Sequence, residues 1–133
     1  MATKKTAGKG KKLARAKSAP SPTADALRKA LALIRKGWIG WLSDGRMVPM
    51  AVDGRGRQVE PENRRACRFC SLGALERVVG REETLTHPAY YAIREVIGGR
   101  GFSVGAWNDA PGRKKSEVIA AFKKAIRLAE ASR

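Results

Sequence analysis

Lys114-Lys115-Ser116-Glu117-Val118-Ile119-Ala120-Ala121-Phe122-Lys123-Lys124-Ala125-Ile126-Arg127-Leu128-Ala129-Glu130-Ala131 decides the fold class. Val118, Ile119, Phe122, Ile126 and Ala129 recur at the spacing that lines one face of an α-helix. Lys123, Lys124 and Arg127 fall outside that face. The pattern predicts a helix from about Lys114 to Ala131, packed through one apolar stripe.

Three earlier stretches read the same way. From Ala24 to Leu42 the apolar residues Leu27, Leu31, Ile34, Trp38 and Trp41 form one stripe, and Thr23 or Asp25 is placed to cap it. Arg28, Lys29, Arg35 and Lys36 make its outer face basic. Gly37 and Gly40 weaken the last turns, which sets Lys36 as an alternative end. A second helix is expected from Cys67 or Ser71 to Val79, with Leu72, Leu75 and Val79 inward and Gly80 as its stop. A third runs from about His87 to Ile97, with Pro88 in its first turn and Gly98-Gly99 after it. Between these, residues 43–66 are irregular. Asp44-Gly45 and Asp53-Gly54 are turn signals, and Met47 to Val52 reads as a short edge strand because Pro49 cannot donate in a sheet interior. Phe102 to Trp107 reads as a short extended or turn segment before a polar turn at Asn108-Asp109-Ala110-Pro111-Gly112. The expected fold is mainly α: a small single domain of about four helices with little or no β-structure, spanning residues 23–133.

Residues 1–22 differ in kind. Apart from Met1, Leu13 and Arg15 they are Lys, Ala, Gly, Ser, Thr and Pro in low-complexity order, closing on Ala19-Pro20-Ser21-Pro22. Their apolar content is too small to offset the entropy of ordering, so a disordered basic tail is expected. The tail holds Lys4, Lys5, Lys9, Lys11, Lys12, Arg15 and Lys17 and no acid, out of a net charge of +16 for 133 residues. The rest of the chain is basic too, with 21 basic against 12 acidic residues. Arg55, Arg57, Arg64, Arg65 and Arg68 crowd the irregular region. Such a field draws polyanions, nucleic acid first and an acidic protein second. There is no apolar run of membrane-spanning length and no apolar core after the basic start, so a cytoplasmic location is expected, at the nucleoid if the polyanion is DNA.

Two motifs carry chemistry-bearing residue types. Cys67-Arg68-Phe69-Cys70-Ser71-Leu72-Gly73-Ala74-Leu75 contains a CxxC, and Ala106-Trp107-Asn108-Asp109-Ala110-Pro111-Gly112-Arg113 follows later. A closed zinc site takes four ligands, and two cysteines with the single histidine, His87, fall short. No metal and no cofactor is expected. Cys70 at a helix start beside Arg68 has the setting that favours a thiolate. With His87 as base and Asn108 or Asp109 as orienter, it supplies the residue types of a cysteine hydrolase. The structural alternative is that Cys70 is a small buried apolar residue, that Gly73-Ala74 marks close packing, and that Asn108 and Asp109 bond the backbone of a turn while Trp107 anchors in the core.

The ordered part, from the opening helix ending in Gly37-Trp38 through Asp44-Gly45, Cys70-Ser71-Leu72-Gly73-Ala74-Leu75 and Ala106-Trp107-Asn108-Asp109 to Gly112-Arg113 and Glu117-Val118, resembles an uncharacterised family of small bacterial and phage proteins, a domain of unknown function. Lys114 departs from that pattern, where a capping Ser or Thr is usual. The resemblance implies a small, mainly helical cytoplasmic domain and no particular activity.

The favoured function is a non-enzymatic, weakly sequence-selective nucleic-acid-associated protein. The tail lysines and arginine, with Arg55, Arg57, Arg64 and Arg65 on the body, would neutralise phosphates of DNA or RNA. A Cys70-His87-Asp109 enzyme and an interaction module for an acidic partner are the alternatives. The oligomeric state stays open.

Overall fold

Ser21, Pro22 and the residues after them start the first helix. The computed structural model describes residues 21–42 and 47–131. The expected tail cations and the Asp44-Gly45 turn lie outside the described residues. Helix α1 runs Pro22–Lys36. Its cap is Ser21, not Thr23 or Asp25: the Ser21 hydroxyl accepts from the Ala24 amide at 3.1 Å, and Pro22 takes the first turn, where its missing N–H is harmless. Leu27, Leu31 and Ile34 are buried as expected. The stripe ends there, because the chain leaves the helix at Gly37 in an extended conformation. Trp38 is therefore not a helix residue, and Trp41 is 46% exposed rather than core.

Beyond α1, the chain lays Trp38 against Phe69 in a parallel bridge. Strands β1 (Ala51–Val52) and β2 (Arg68–Phe69) pair antiparallel, Ala51 opposite Phe69. Only the end of the expected Met47–Val52 strand forms. Helix α2 (Ser71–Val79) starts directly after β2, capped by Cys70. A single 3-10 turn, Thr84–Thr86, leads to α3 (Pro88–Ile97), capped by His87. Helix α4 (Val104–Asn108) replaces the expected extended segment. Ser103 caps it through its hydroxyl, a signal the apolar run Phe102 to Trp107 conceals, and Val104 is fully buried. Helix α5 (Lys115–Ala131) completes the domain. Lys114 offers no capping side chain, and Glu117 compensates in part by accepting from the Lys114 amide at 2.8 Å.

The fold is mainly helical with five helices and one two-stranded sheet among the described residues. α1 lies across α2 and α5, and α3 packs on α5. Phe69, Leu75, Ile93, Val104, Val118 and Phe122 join the α1 stripe in one core. Leu72 and Val79, expected inward, are only half-buried, while Ser71, Gly73, Ala74, Leu75 and Glu76 are the buried residues of α2. None of the described helices is long and apolar enough to cross a membrane.

Candidate functional site

Asn108 is the last residue of α4 and is fully buried. Its side-chain oxygen accepts from the Trp38 indole N–H at 2.8 Å, from the Ser71 amide at 2.9 Å and from the Ser71 hydroxyl at 2.6 Å. Its amide nitrogen donates to the Ile39 carbonyl at 3.0 Å and to the Asp109 carboxylate at 2.8 Å. The orientation is forced. An indole and a backbone amide only donate, and a carbonyl only accepts, so oxygen must face Trp38 and Ser71 while nitrogen faces Ile39. One side chain thus ties together the segment after α1, the start of α2 and the end of α4. Trp38 and Ser71 were not legible as its partners, since nothing in their spacing couples positions so far apart in sequence.

Cys70 lies beside this cluster. Its sulfur accepts from the Gly73 amide at 3.2 Å and caps α2. Gly73 is needed there, because a Cβ would overlap the Met50 carbonyl oxygen, whose own partner is the Cys70 amide at 3.0 Å. Burial pushes the Cys70 thiol up to about 11, the Asp109 charge adds to that, and the Gly73 hydrogen bond opposes it without prevailing. The expected thiolate-favouring setting is therefore reversed by desolvation. Burial also raises the Asp109 carboxyl, against the Asn108 hydrogen bond. His87 is elsewhere. Its Nδ1 accepts from the Ala89 amide at 3.0 Å, and it lies in a surface groove with Val78 and Val79, at the far end of α2. Nine residues of helix separate that end from Cys70, roughly 13 Å at 1.5 Å per residue. Cys70, Asn108 and Asp109 come together; His87 does not join them.

The second half of the Trp107 motif is also held in place locally. Arg113 stacks 4.1 Å over the Trp107 ring, donates to the Trp107 carbonyl at 2.8 Å and lies 3.5 Å from Glu117. Trp107 is half-buried under that guanidinium, and Asp109 has no ion pair with Arg113 among the described residues.

The arginine loop joins β1 to β2. Asp53 is buried and accepts from the Arg55 and Arg57 amides, each at 2.9 Å. Those bonds, the Arg57 amide first, hold its carboxyl below the usual range. The turn drives both arginine side chains outward. Further on, Asn63 accepts from the Arg65 amide at 2.8 Å, while Arg77 of α2 donates to the Pro61 and Asn63 carbonyls at 2.8 and 2.6 Å. These bonds fasten the loop to α2 and leave Arg64 and Arg65 exposed. Asp53, Gly54, Arg55, Arg57, Arg65 and the exposed Cys67 line a shallow depression of about 640 Å³. Arg57 lies 3.5 Å from Asp53; no carboxylate among the described residues pairs with Arg55, Arg64 or Arg65. Of the sequence-predicted body arginines, Arg55, Arg57 and Arg65 are thus brought together around one depression, and Arg64 is exposed but does not line it.

Behind the same loop, Glu60, Glu62 and Glu76 converge, their ligand-type oxygens all within 4.8 Å. Burial pushes the Glu76 carboxyl up to about 7, and Glu62 adds a hydrogen bond and a like charge. Arg81 pairs with Glu60 and Glu76 and already supplies a cation to the group. Neither cysteine nor His87 belongs to a cluster of three metal-ligating side chains among the described residues.

The chain matches a family of unknown function (DUF6197) over residues 18–128 and belongs to that family. No curated protein and no solved structure matches it.

Proposed function

We propose that this family member is a nucleic-acid-associated protein that neutralises phosphates with its cationic tail and with the arginine loop of the body. The observation that carries the reading is the convergence of Arg55, Arg57 and Arg65 around one exposed depression in a chain of net charge +16. Arg55 and Arg65, which have no carboxylate partner among the described residues, keep their donors available for phosphate oxygens, while Arg57 shares its charge with Asp53. Nothing in the loop is shaped to enter a groove and read base edges, so the contacts are to the backbone and weakly sequence-selective. A cytoplasmic, nucleoid-associated role and a bacterial or phage setting agree with this reading. The cysteine-enzyme alternative has less support, given a thiol held protonated and a histidine beyond the far end of α2.

The test is a salt titration of binding to duplex DNA and to single-stranded RNA. Three proteins are compared: the chain itself, a variant with Lys4, Lys5, Lys9, Lys11, Lys12, Arg15 and Lys17 changed to Gln, and a variant with Arg55, Arg57, Arg64 and Arg65 changed to Gln. Each lost phosphate contact lowers the slope of log K against log salt by about 0.9 on duplex DNA. The loop variant is expected to lose about 2 to 4 units of slope with an unchanged melting temperature. Binding of the unaltered chain to acidic proteins, with none to DNA or RNA at low salt, would replace this reading with the interaction-module one.

A further inference from the structure

A groove separate from the arginine loop lies between the start of α1 and the outer face of α3. It encloses about 740 Å³, and Ser21, Pro22, Tyr91, Arg94, Arg100 and Leu128 are among the residues that line it. Tyr91 is 43% exposed, and Phe102, two residues beyond Arg100, is 51% exposed. Arg94 is held by stacking: its guanidinium carbon lies 4.9 Å from the Tyr91 ring centre and 5.7 Å from that of Tyr90. The two rings meet edge to face, 5.8 Å apart. No carboxylate among the described residues pairs with Arg94 or Arg100.

We propose that this groove binds an unpaired nucleic-acid strand. It would stack a base on Tyr91 beside the Arg94 plane and hold the adjoining phosphate with the Arg94 fork and Arg100. The inference rests on the nucleic-acid reading above and deepens it by naming the substrate class, single strand rather than duplex. An exposed aromatic ring carrying an unneutralised guanidinium matches both halves of a nucleotide, the π-face and the anion. A duplex keeps its base faces inside the stack, so only a single strand uses the ring. The tail strengthens the match. Its cations precede the groove in sequence, Lys17 standing four residues before Ser21. Glu95, an acid in the lining, sits one residue from Arg94 and favours a neutral base over a second phosphate at that point.

The test titrates the full chain with single-stranded DNA and RNA of about 12 nucleotides, and with the matching duplex, by fluorescence anisotropy. Tyr91→Ala is expected to weaken single-strand binding at least about fivefold and to change duplex binding by less than about twofold. Tyr91→Phe keeps the ring and should bind as the unaltered chain does. Arg100→Gln should lower the single-strand salt slope by about 1 unit. If Tyr91→Ala binds single strands as well as before, or loses single strand and duplex alike, the groove assignment is overturned while the loop and tail reading stands. If the unaltered chain binds no nucleic acid at low salt, both fall together. If the oligonucleotides are ignored while poly-glutamate binds and Tyr91→Ala abolishes it, or if Tyr91→Ala removes a self-association of the chain, another occupant replaces the strand.

Discussion

The Asn108 cluster and the arginine loop flank the same strand, β2, and treat polar atoms in opposite ways. At Asn108 every polar atom of a fully buried side chain is matched by a protein partner. In the loop, buried Asp53 satisfies the backbone while the guanidiniums of Arg55, Arg64 and Arg65 are exposed and have no acid paired with them among the described residues. The difference separates architecture from availability. A buried polar group that is fully bonded holds segments together and has nothing left to offer a ligand. An exposed cation without a partner contributes little to stability and retains its full capacity to bind. Two residue types that look catalytic, Cys70 and Asn108, lie on the architectural side, and Asp109 is half-buried beside them.

The sharpest way to break the contrast is Asn108→Asp. The new carboxylate oxygen would face the Ile39 carbonyl and the Asp109 carboxylate, two acceptors where the amide had donated. A loss of at least about 3 kcal/mol in urea unfolding is expected, or failure to fold. A variant as stable as the parent would mean that the cluster is not what joins the segments. Next is Gly73→Ala, whose methyl would overlap the Met50 carbonyl; about 1 to 3 kcal/mol is expected by the same measurement.

Glu76 gives a smaller, pH-dependent effect. Its carboxyl titrates near 7 in the folded chain against an ordinary value of 4.5. The native state keeps a proton there that the unfolded chain has already released. Stability is therefore full below about pH 4.5 and declines as pH rises through about 7. Glu76→Gln should remove that slope, raising the melting temperature by about 2 to 6 °C at pH 8 and leaving it unchanged at pH 4. Equal curves at both pH values would show that Glu76 is not the group responsible. The smallest effect is on reactivity alone. With a thiol-alkylating reagent at neutral pH, exposed Cys67 should label quickly and buried Cys70 only on unfolding. Rapid labelling of Cys70 in the folded chain, read by peptide mass, would return it to the available side and revive the enzyme reading.

Local order was largely legible, for a physical reason. The apolar spacing of Leu27, Leu31 and Ile34, and of Val118, Phe122 and Ala129, fixes which helix face is buried, and Gly80 and Gly98 mark where helices stop. Where the reading missed, a side chain near the boundary had a second use. Ser21 displaced Thr23 as a cap, Ser103 started a helix inside an apolar run, and Trp38 left its stripe to reach Asn108. These depend on which hydroxyl or indole is geometrically free, which periodicity does not encode.

Charge, helical class and the positions of the arginines follow from composition and spacing along the chain, because each is a property of neighbouring residues. The partnership of Asn108 with Trp38 and Ser71, the desolvation that keeps the Cys70 thiol protonated, the distance of His87 from it, and the meeting of Tyr91 and Arg94 with the start of α1 were settled by folding. Burial and long-range hydrogen bonding arise only when segments far apart in sequence pack. The same Asn or Cys is inert or reactive according to what then surrounds it.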